Sequence, residues 1–323
     1  MRKIAVLTSG GDSPGMNAAI RSVVRCAIYN RLAVYGVMRG YEGLIDDDIM
    51  PLNARSVSNI LAKGGTILKT ARSKRFLRKT ERKKAAENLR KRGIEGLVVI
   101  GGNGSFRGAD IFTKETGIKT IGIAGTIDND ICGSDFTVGA NTAVGTALDA
   151  IDKIRDTVTS MERIYVVEVM GRNEPFIATR VGLAGGAEDV IFPGNRYNIS
   201  RLCDDIKAGR ERGKLSWIIV VSEGSAKADD VAKKIRSKTG YSVRPVVLGH
   251  IQRGGSPSAF DRVLASSLGA ESVEAMLREK KSGMVGVVGG EYNFVDFKTA
   301  CKKDMKKKRL DKAFYKLTKI LAI

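Results

Sequence analysis

Thr120-Ile121-Gly122-Ile123 is an apolar run of strand length, and Gly125-Thr126-Ile127-Asp128-Asn129-Asp130 follows it almost at once. The run predicts a buried strand, and the hexapeptide predicts an acidic turn at its carboxyl end. Two carboxylates one residue apart can divide the chemistry, one accepting a proton while the other sits near a metal ion. The glycine lets the backbone approach a ligand, and the threonine hydroxyl offers a donor beside the acids. An ordinary Asx-rich turn has the same letters, so this stretch needs company before it means anything.

The company is there. Lys3 to Leu7 runs into Thr8-Ser9-Gly10-Gly11-Asp12-Ser13-Pro14-Gly15, and Met16 to Tyr29 then has helical periodicity. Strand-like Ala33 to Met38 leads to Gly40-Tyr41-Glu42-Gly43. Gly96 to Ile100 is followed by Gly101-Gly102-Asn103-Gly104-Ser105 and an expected helix from about Phe106 to Glu115. Val166 to Val169 meets Met170-Gly171-Arg172, and Trp217 to Val221 meets Ser222-Glu223-Gly224-Ser225. Val246 to Leu248 meets Gly249-His250-Ile251-Gln252-Arg253-Gly254-Gly255-Ser256-Pro257, and Met284 to Val288 meets Gly289-Gly290. In open parallel sheets ligands bind at the carboxyl ends of the strands, so this repetition predicts an α/β fold with a phosphate-handling site along one edge. The first loop is not a Walker A loop, because Met16-Asn17 stand where Lys-[Ser/Thr] is required, and the 101–104 loop is not a dinucleotide fingerprint. Loop amides and helix N-termini remain as the phosphate cradle.

The 323 residues predict about two domains, and 43% hydrophobic with 28% charged residues is ordinary for a globular protein. No apolar run approaches the roughly 18 residues of a membrane span, and Met1-Arg2-Lys3 enters a strand directly, so a cytoplasmic protein with no membrane partner is expected. Cys26, Cys132, Cys203 and Cys301 are scattered and read as reduced thiols. The net charge of +20 predicts attraction to polyanions, whether nucleic acid, acidic lipid or phosphorylated metabolites. With 6% aromatics and no recognisable module, sequence-specific nucleic-acid reading is excluded. His250 is the single histidine, so catalysis must run on carboxylates, arginines and backbone amides. Most of the basic run from Lys74 to Lys84 reads as one solvated face of a helix reaching Arg92, with Arg72 apart from it in the preceding turn. The tail from Lys302 reads as a docked helix with a solvated lysine face and an inward stripe of Leu310, Phe314, Leu317 and Ile320-Leu321.

Taken in order, the 8–17 segment, Gly101-Gly102-x-Gly104-Ser105, Gly125 to Asp130, Met170-Gly171-Arg172 and Gly249 to Pro257 resemble the bacterial ATP-dependent 6-phosphofructokinases from Ile4 to roughly Gly290. The resemblance implies two similar Rossmann-like three-layer α/β/α domains with the active site in the cleft between them. Residues 1–138 plus about 251–301 would bind nucleotide, and about 139–250 plus 302–323 would bind sugar phosphate. The implied reaction is transfer of the γ-phosphoryl of ATP to fructose 6-phosphate, a glycolytic step using Mg²⁺, in a homotetramer. Asp128 would be the general base, with Arg72, Thr126 and Arg172 as further catalytic groups. Gly11, Tyr41, Arg72, Ser73, Gly102, Asn103, Gly104 and Ser105 match the nucleotide side, and Asn103 and Asp130 the metal site. Thr126, Asp128, Met170, Gly171, Arg172, Glu223, His250 and Arg253 match the sugar-phosphate side, with Arg163 and Arg244 matching arginines contributed by a neighbouring subunit. Arg21, Arg25, Arg155, Glu188, Arg212 and Lys214 match an effector pocket.

The chain departs from the pattern at a few positions. Asn103 replaces an aspartate near magnesium, which removes a negative charge but keeps an oxygen ligand. Ala124 replaces a common proline, Pro175 a glycine, and Ser73 an aromatic. Ala54-Arg55 stands where an Arg-Tyr pair is usual, which predicts a weakened nucleotide effector response. Gly104 and Gly125 stand where pyrophosphate-using relatives carry Asp and Lys, which points to ATP as donor.

Overall fold

The computed structural model describes residues 1–195, 197–279 and 281–322. The chain forms two compact units, one of Met1–Thr142 with Arg253–Asp304, the other of Ala143–Gln252 with the segment from Met305 onward. The first unit begins with β1 (Lys3–Ser9), α1 (Met16–Tyr29), β2 (Ala33–Val37), α2 (Tyr41–Asp46) and β3 (Ile49–Leu52). It continues with α3 (Lys79–Lys91), β4 (Gly96–Gly101), α4 (Asn103–Thr116) and β5 (Lys119–Ala124). On α5 (Ala140–Met161) the chain enters the second unit, built from β6 (Ile164–Val169), α6 (Phe176–Ala184), β7 (Asp189–Ile191), α7 (Ile199–Glu211), β8 (Trp217–Ser222), α8 (Ala228–Thr239) and β9 (Val243–Val247). It returns through α9 (Ala259–Arg278), β10 (Gly283–Val288), β11 (Glu291–Val295) and α10 (Phe297–Ala300), and ends on α11 (Met305–Leu321).

The first sheet has the order β11-β10-β5-β4-β1-β2-β3, parallel from β10 to β2 with an antiparallel strand at each edge. Its central strands are apolar throughout because both faces are covered. Alternation sends Ile4 and Val6 into the core under α1 and α9, and Ala5 and Leu7 into the core under α3 and α4. Because α1 and α4 leave adjacent strands for opposite faces, the carboxyl ends of β1 and β4 form a topological switch point, where ligands of such sheets bind. The second sheet, β7-β8-β6-β9, is parallel, and packs Val166, Ile219 and Val221 under α7 and α8. The fold class is therefore α/β with three layers in the first unit.

One local expectation is corrected, and a second holds with exceptions. The last helix is not oriented by its apolar stripe: Asp311 and Thr318 are buried, while Leu310, Leu317, Ile320 and Leu321 are exposed. Directional bonds decide its rotation, since Asp311 Oδ1 accepts from Arg180 at 2.6 Å and from Thr179 at 3.3 Å. Most of the basic run is exposed as expected, with two exceptions. Arg82 is buried and donates two bonds to Glu115, and Arg75 is ringed by Glu42, Asp46 and Glu81.

Candidate active site

Three neighbouring strands end together, with Ser9 opposite Gly101 and Gly101 opposite Ala124. The loops that follow are stitched across this edge. Ser105 Oγ donates to the Ser9 carbonyl at 2.9 Å, and the Gly125 amide donates to the Gly101 carbonyl at 3.0 Å. A side chain at Gly101 would meet Ser105 Oγ at 2.5 Å and the Ser9 carbonyl at 2.6 Å, so glycine is needed for the loops to close. Thr8 and Thr70 tie the 69–71 segment to the first loop through Lys69 O and Gly10 O, which brings exposed Arg72 to the same edge.

Both helices that start here lack a side-chain cap. Gly15 and Gly102 precede α1 and α4 without a side-chain cap, and neither first turn holds an acid. At α4, where Gly104 is exposed, backbone donors and the positive end of the helix dipole are left for an anion, while the start of α1 is buried against Val138. Tyr41 lies beneath α4, its hydroxyl donating to the Ser105 carbonyl at 2.7 Å and its ring stacked on Phe76 at 3.9 Å. Burial pushes the Tyr41 pKa far up, so it stays a neutral donor. Ser73 is a cap rather than a stacking group, since its Oγ accepts from the Phe76 amide at 3.1 Å. Phe76 is itself buried and backs the Tyr41 ring, a packing role that the sequence does not reveal because no glycine or charge marks it.

The acidic turn holds Asn129 at φ 48°, a left-handed conformation that asparagine tolerates, between half-buried Asp128 and Asp130. Thr137 Oγ1 donates to the Thr126 carbonyl at 2.6 Å, and Asn129 Nδ2 donates to the Asp135 carbonyl at 3.0 Å, so the turn is rigidly framed. Asn103 Nδ2 donates to Asp130 Oδ2 at 2.6 Å. The other oxygens of this pair, Asn103 Oδ1 and Asp130 Oδ1, are buried without a hydrogen-bond partner. Burying polar atoms unsatisfied is costly, and two oxygens left so by adjacent side chains suit a hard divalent cation. By donor chemistry the residues fit Mg²⁺.

Arg253 lies over the first loop. Its Nη2 donates to the Asp12 carbonyl at 2.8 Å and stands 3.5 Å from Asp12 Oδ1, while its Nε is buried and unpartnered. A Cβ at Gly11 would fall 1.8 Å from that Nη2.

In the second unit the 170–172 loop, Glu223 and His250 share the carboxyl edge of the sheet. The Glu223 amide donates to the Val169 carbonyl at 2.9 Å, the Ser222 hydroxyl donates to the Gly171 carbonyl, and buried Gln252 accepts from the Met170 amide at 3.3 Å. A Cβ at Gly224 would lie 1.7 Å from the Arg172 carbonyl oxygen. Pro175 sits in the N-cap position of α6, a place proline tolerates, so its departure from glycine costs no backbone bond. The positioning role of Gln252 is not marked in the sequence, although the residue lies inside the Gly249 to Pro257 motif.

Arg163 and Arg244 lie elsewhere. Arg163 directly precedes β6 and Arg244 is the second residue of β9, paired with Tyr165, so both are at the amino edge of the sheet. The six residues of β6 separate Arg163 from Met170, a span of about 20 Å at the usual strand rise. The same amino edge gathers part of the expected effector set. Arg155 donates to the Gly185 and Gly186 carbonyls, buried Glu188 accepts from the Ile218 amide at 2.6 Å, and Lys214 stands 3.4 Å from Glu188, with Arg212 exposed nearby in sequence. Arg21 and Arg25 lie one turn apart on α1 in the first unit.

A family model described as phosphofructokinase matches residues 3–276. The chain belongs to the phosphofructokinase family. It is 52% identical over 324 residues to an ATP-dependent 6-phosphofructokinase of Thermoanaerobacter sp. (strain X514), with 100% of both chains covered. It is likewise 52% identical over 322 residues to the ATP-dependent 6-phosphofructokinase of Clostridium tetani (strain Massachusetts / E88), again over 100% of both. Among solved structures, phosphofructokinase from Saccharomyces cerevisiae superposes with a TM-score of 0.88 at 34% identity. The match covers 100% of this chain and 48% of the yeast one, so the present chain spans about half of that phosphofructokinase. A pyrophosphate-dependent phosphofructokinase from Marinobacter aquaeolei has a TM-score of 0.83 at 21% identity, covering 98% of this chain and 92% of its own, a likeness of fold alone.

Proposed function

We propose that the chain is an ATP-dependent 6-phosphofructokinase that converts fructose 6-phosphate to fructose 1,6-bisphosphate, with nucleotide bound to the first unit and sugar phosphate to the second. The observation that carries this reading is the three-strand edge, where two uncapped helix N-termini and the Asp128 turn stand in register. The open first turn of α4, with Gly102, Gly104 and Ser105, receives the nucleotide phosphates. Asn103 Oδ1 and Asp130 Oδ1 would hold Mg²⁺, which would supply positive charge beside the transferring phosphates.

Asp128 accepts the proton of the sugar's 1-hydroxyl as that oxygen bonds to the γ-phosphorus and the bond to the β,γ-bridging oxygen breaks, releasing ADP. Arg72, Arg172 and the Thr126 hydroxyl stabilise charge on the group in flight, where one such donor is worth about 3 kcal/mol. Gly104 faces open space, with nothing within 4 Å of where a Cβ would sit, and that room suits a nucleotide's α-phosphate. A side chain at Gly125 would press on Met16 at 3.1 Å and Ile100 at 3.2 Å, so a lysine there is disfavoured. Both features favour ATP over pyrophosphate.

Met170, Gly171, Glu223, His250 and Arg253 are the residues assigned to the sugar phosphate. The distance of Arg163 and Arg244 from that edge supports their donation to a neighbouring chain, in a homotetramer working in the cytoplasm. Among the described residues no helix is long and apolar enough to cross a membrane. Arg155, Glu188, Arg212 and Lys214 in the second unit, and Arg21 and Arg25 on α1 of the first, are the residues assigned to anionic effectors.

Steady-state phosphorylation of fructose 6-phosphate with ATP and with pyrophosphate, across a magnesium titration, tests the reading. Turnover with ATP and none with pyrophosphate is expected. Binding of ATP or sugar phosphate without turnover on either donor would overturn it in favour of a regulatory binding protein.

A further inference from the structure

The anchored rotation of α11 has a second side. Inward, Asp311 is bonded to Arg180, Tyr315 reaches Asp189 at 3.2 Å, and Lys319 pairs with Asp189 at 3.1 Å. Outward, Leu310 is 46% exposed, Leu317 41%, Ile320 52% and Leu321 67%. Leu310, Leu317 and Leu321 are spaced i, i+7, i+11, which puts them on one line of the helix. Arg309, Lys312 and Lys316, all exposed, form the other edge of the same outward sector. From Met305 to Leu321 the helix carries seven Lys and Arg against one Asp, and that Asp is neutralised inward by Arg180.

We propose that this outward face of α11 docks on an anionic lipid surface. The helix meets its own unit through Tyr315, packed edge-on against buried Phe192, and through half-buried Phe314 near Arg180, so the outward leucines are not what holds it there. A solvated terminal helix has no use for a leucine line, and a polyanion such as nucleic acid needs only the charges. A second copy of the same face would bring like charges together. Leucines along one edge and cations along the other are what an interfacial helix presents to acyl chains and acidic headgroups together. The expectation of no membrane partner, drawn from the lack of a spanning segment, does not address such a peripheral contact.

The test is co-sedimentation of the full chain with vesicles of phosphatidylglycerol and phosphatidylcholine, compared with vesicles of phosphatidylcholine alone and with duplex DNA in solution. Binding to the acidic vesicles only, weakened by salt, is expected. Arg309→Gln/Lys312→Gln/Lys316→Gln should weaken it by about a hundredfold, at roughly fivefold per cation. Leu310→Ser/Leu317→Ser/Leu321→Ser, which keeps every charge, should weaken it by at least about tenfold. Turnover in solution should be unchanged in both variants, which shows that each is folded. Three results would each overturn the proposal: no binding to acidic vesicles, serine-variant binding equal to the parent's (a polyanion contact by charge alone, with DNA bound as well), or a serine variant of smaller oligomeric mass, meaning that a second copy covers the face.

Discussion

Asn103 donates its amide to the Asp130 carboxylate at 2.6 Å, and each of the two side chains keeps one buried oxygen with no partner. The amide does two things an aspartate could not. It holds Asp130 in place without any cation, and it brings no charge of its own.

Asn103→Asp should therefore loosen the magnesium-free protein and tighten its hold on the metal. Two carboxylates at this separation cannot both ionise comfortably, so the unloaded variant should melt at a lower temperature than the parent. With the ion present, the added charge should lower the magnesium concentration for half-maximal turnover about tenfold, the equivalent of ~1.4 kcal/mol. Thermal melts with and without Mg²⁺, beside the titration of turnover, check both halves. An unchanged melt in the absence of metal would mean that the 2.6 Å bond holds nothing.

Gly11 and Gly224 should respond differently to the same substitution. At Gly11 a Cβ collides with the far end of Arg253, which can swing away. Gly11→Ala should then change stability by no more than about 0.5 kcal/mol yet lower kcat/KM by about a hundredfold by displacing that guanidinium. At Gly224 the collision is with the Arg172 carbonyl oxygen, which moves only with its backbone. Gly224→Ala should cost about 1–3 kcal/mol, read by chemical denaturation.

How much of the molecule is legible in its sequence divides by the kind of force. The strands and the loops after them are readable, because an apolar run ending in glycine and acid is a local pattern and the sheet simply repeats it. The Asn103 departure is visible as a letter, but its bond to Asp130 is not, since 27 residues separate the pair. The rotation of α11 escapes periodicity, which counts leucines, while the fold turns the helix to satisfy Asp311 against Arg180. Phe76 and Gln252 stay hidden because an aromatic or an amide carries no signal until its neighbours are known.

Asp311→Ala and Leu317→Ala measure that rotation directly. Removing Asp311 strands the Arg180 guanidinium and should cost about 3–5 kcal/mol. Removing exposed Leu317 should change stability by less than about 0.5 kcal/mol. The reverse order in urea unfolding would restore the leucine stripe as the docking face.

The Arg82–Glu115 pair should appear in the acid limb of stability. Arg82 Nε and Nη2 donate to the two Glu115 oxygens at 2.7 and 2.8 Å, and this bonding holds the Glu115 carboxyl below its ordinary range. A lowered folded-state value means the contribution is full above the ordinary glutamate pKa of about 4.3 and fades as pH falls through the depressed one. Glu115→Gln should flatten the fall in melting temperature across that window and leave neutral-pH turnover unchanged. An identical acid slope in the variant would assign the loss to other carboxylates.

The length of β6 has a consequence for how activity scales with concentration. If Arg163 and Arg244 serve the sugar phosphate as proposed, a chain whose own copies of them end up a strand's length from Met170 cannot finish that site alone. On the proposed reading each substrate molecule is held by two chains at once, so fructose 6-phosphate is also a clamp between them. Specific activity should then fall on dilution instead of staying constant, and saturating sugar phosphate should postpone that fall, because a ligand that binds only the assembled form stabilises the assembly.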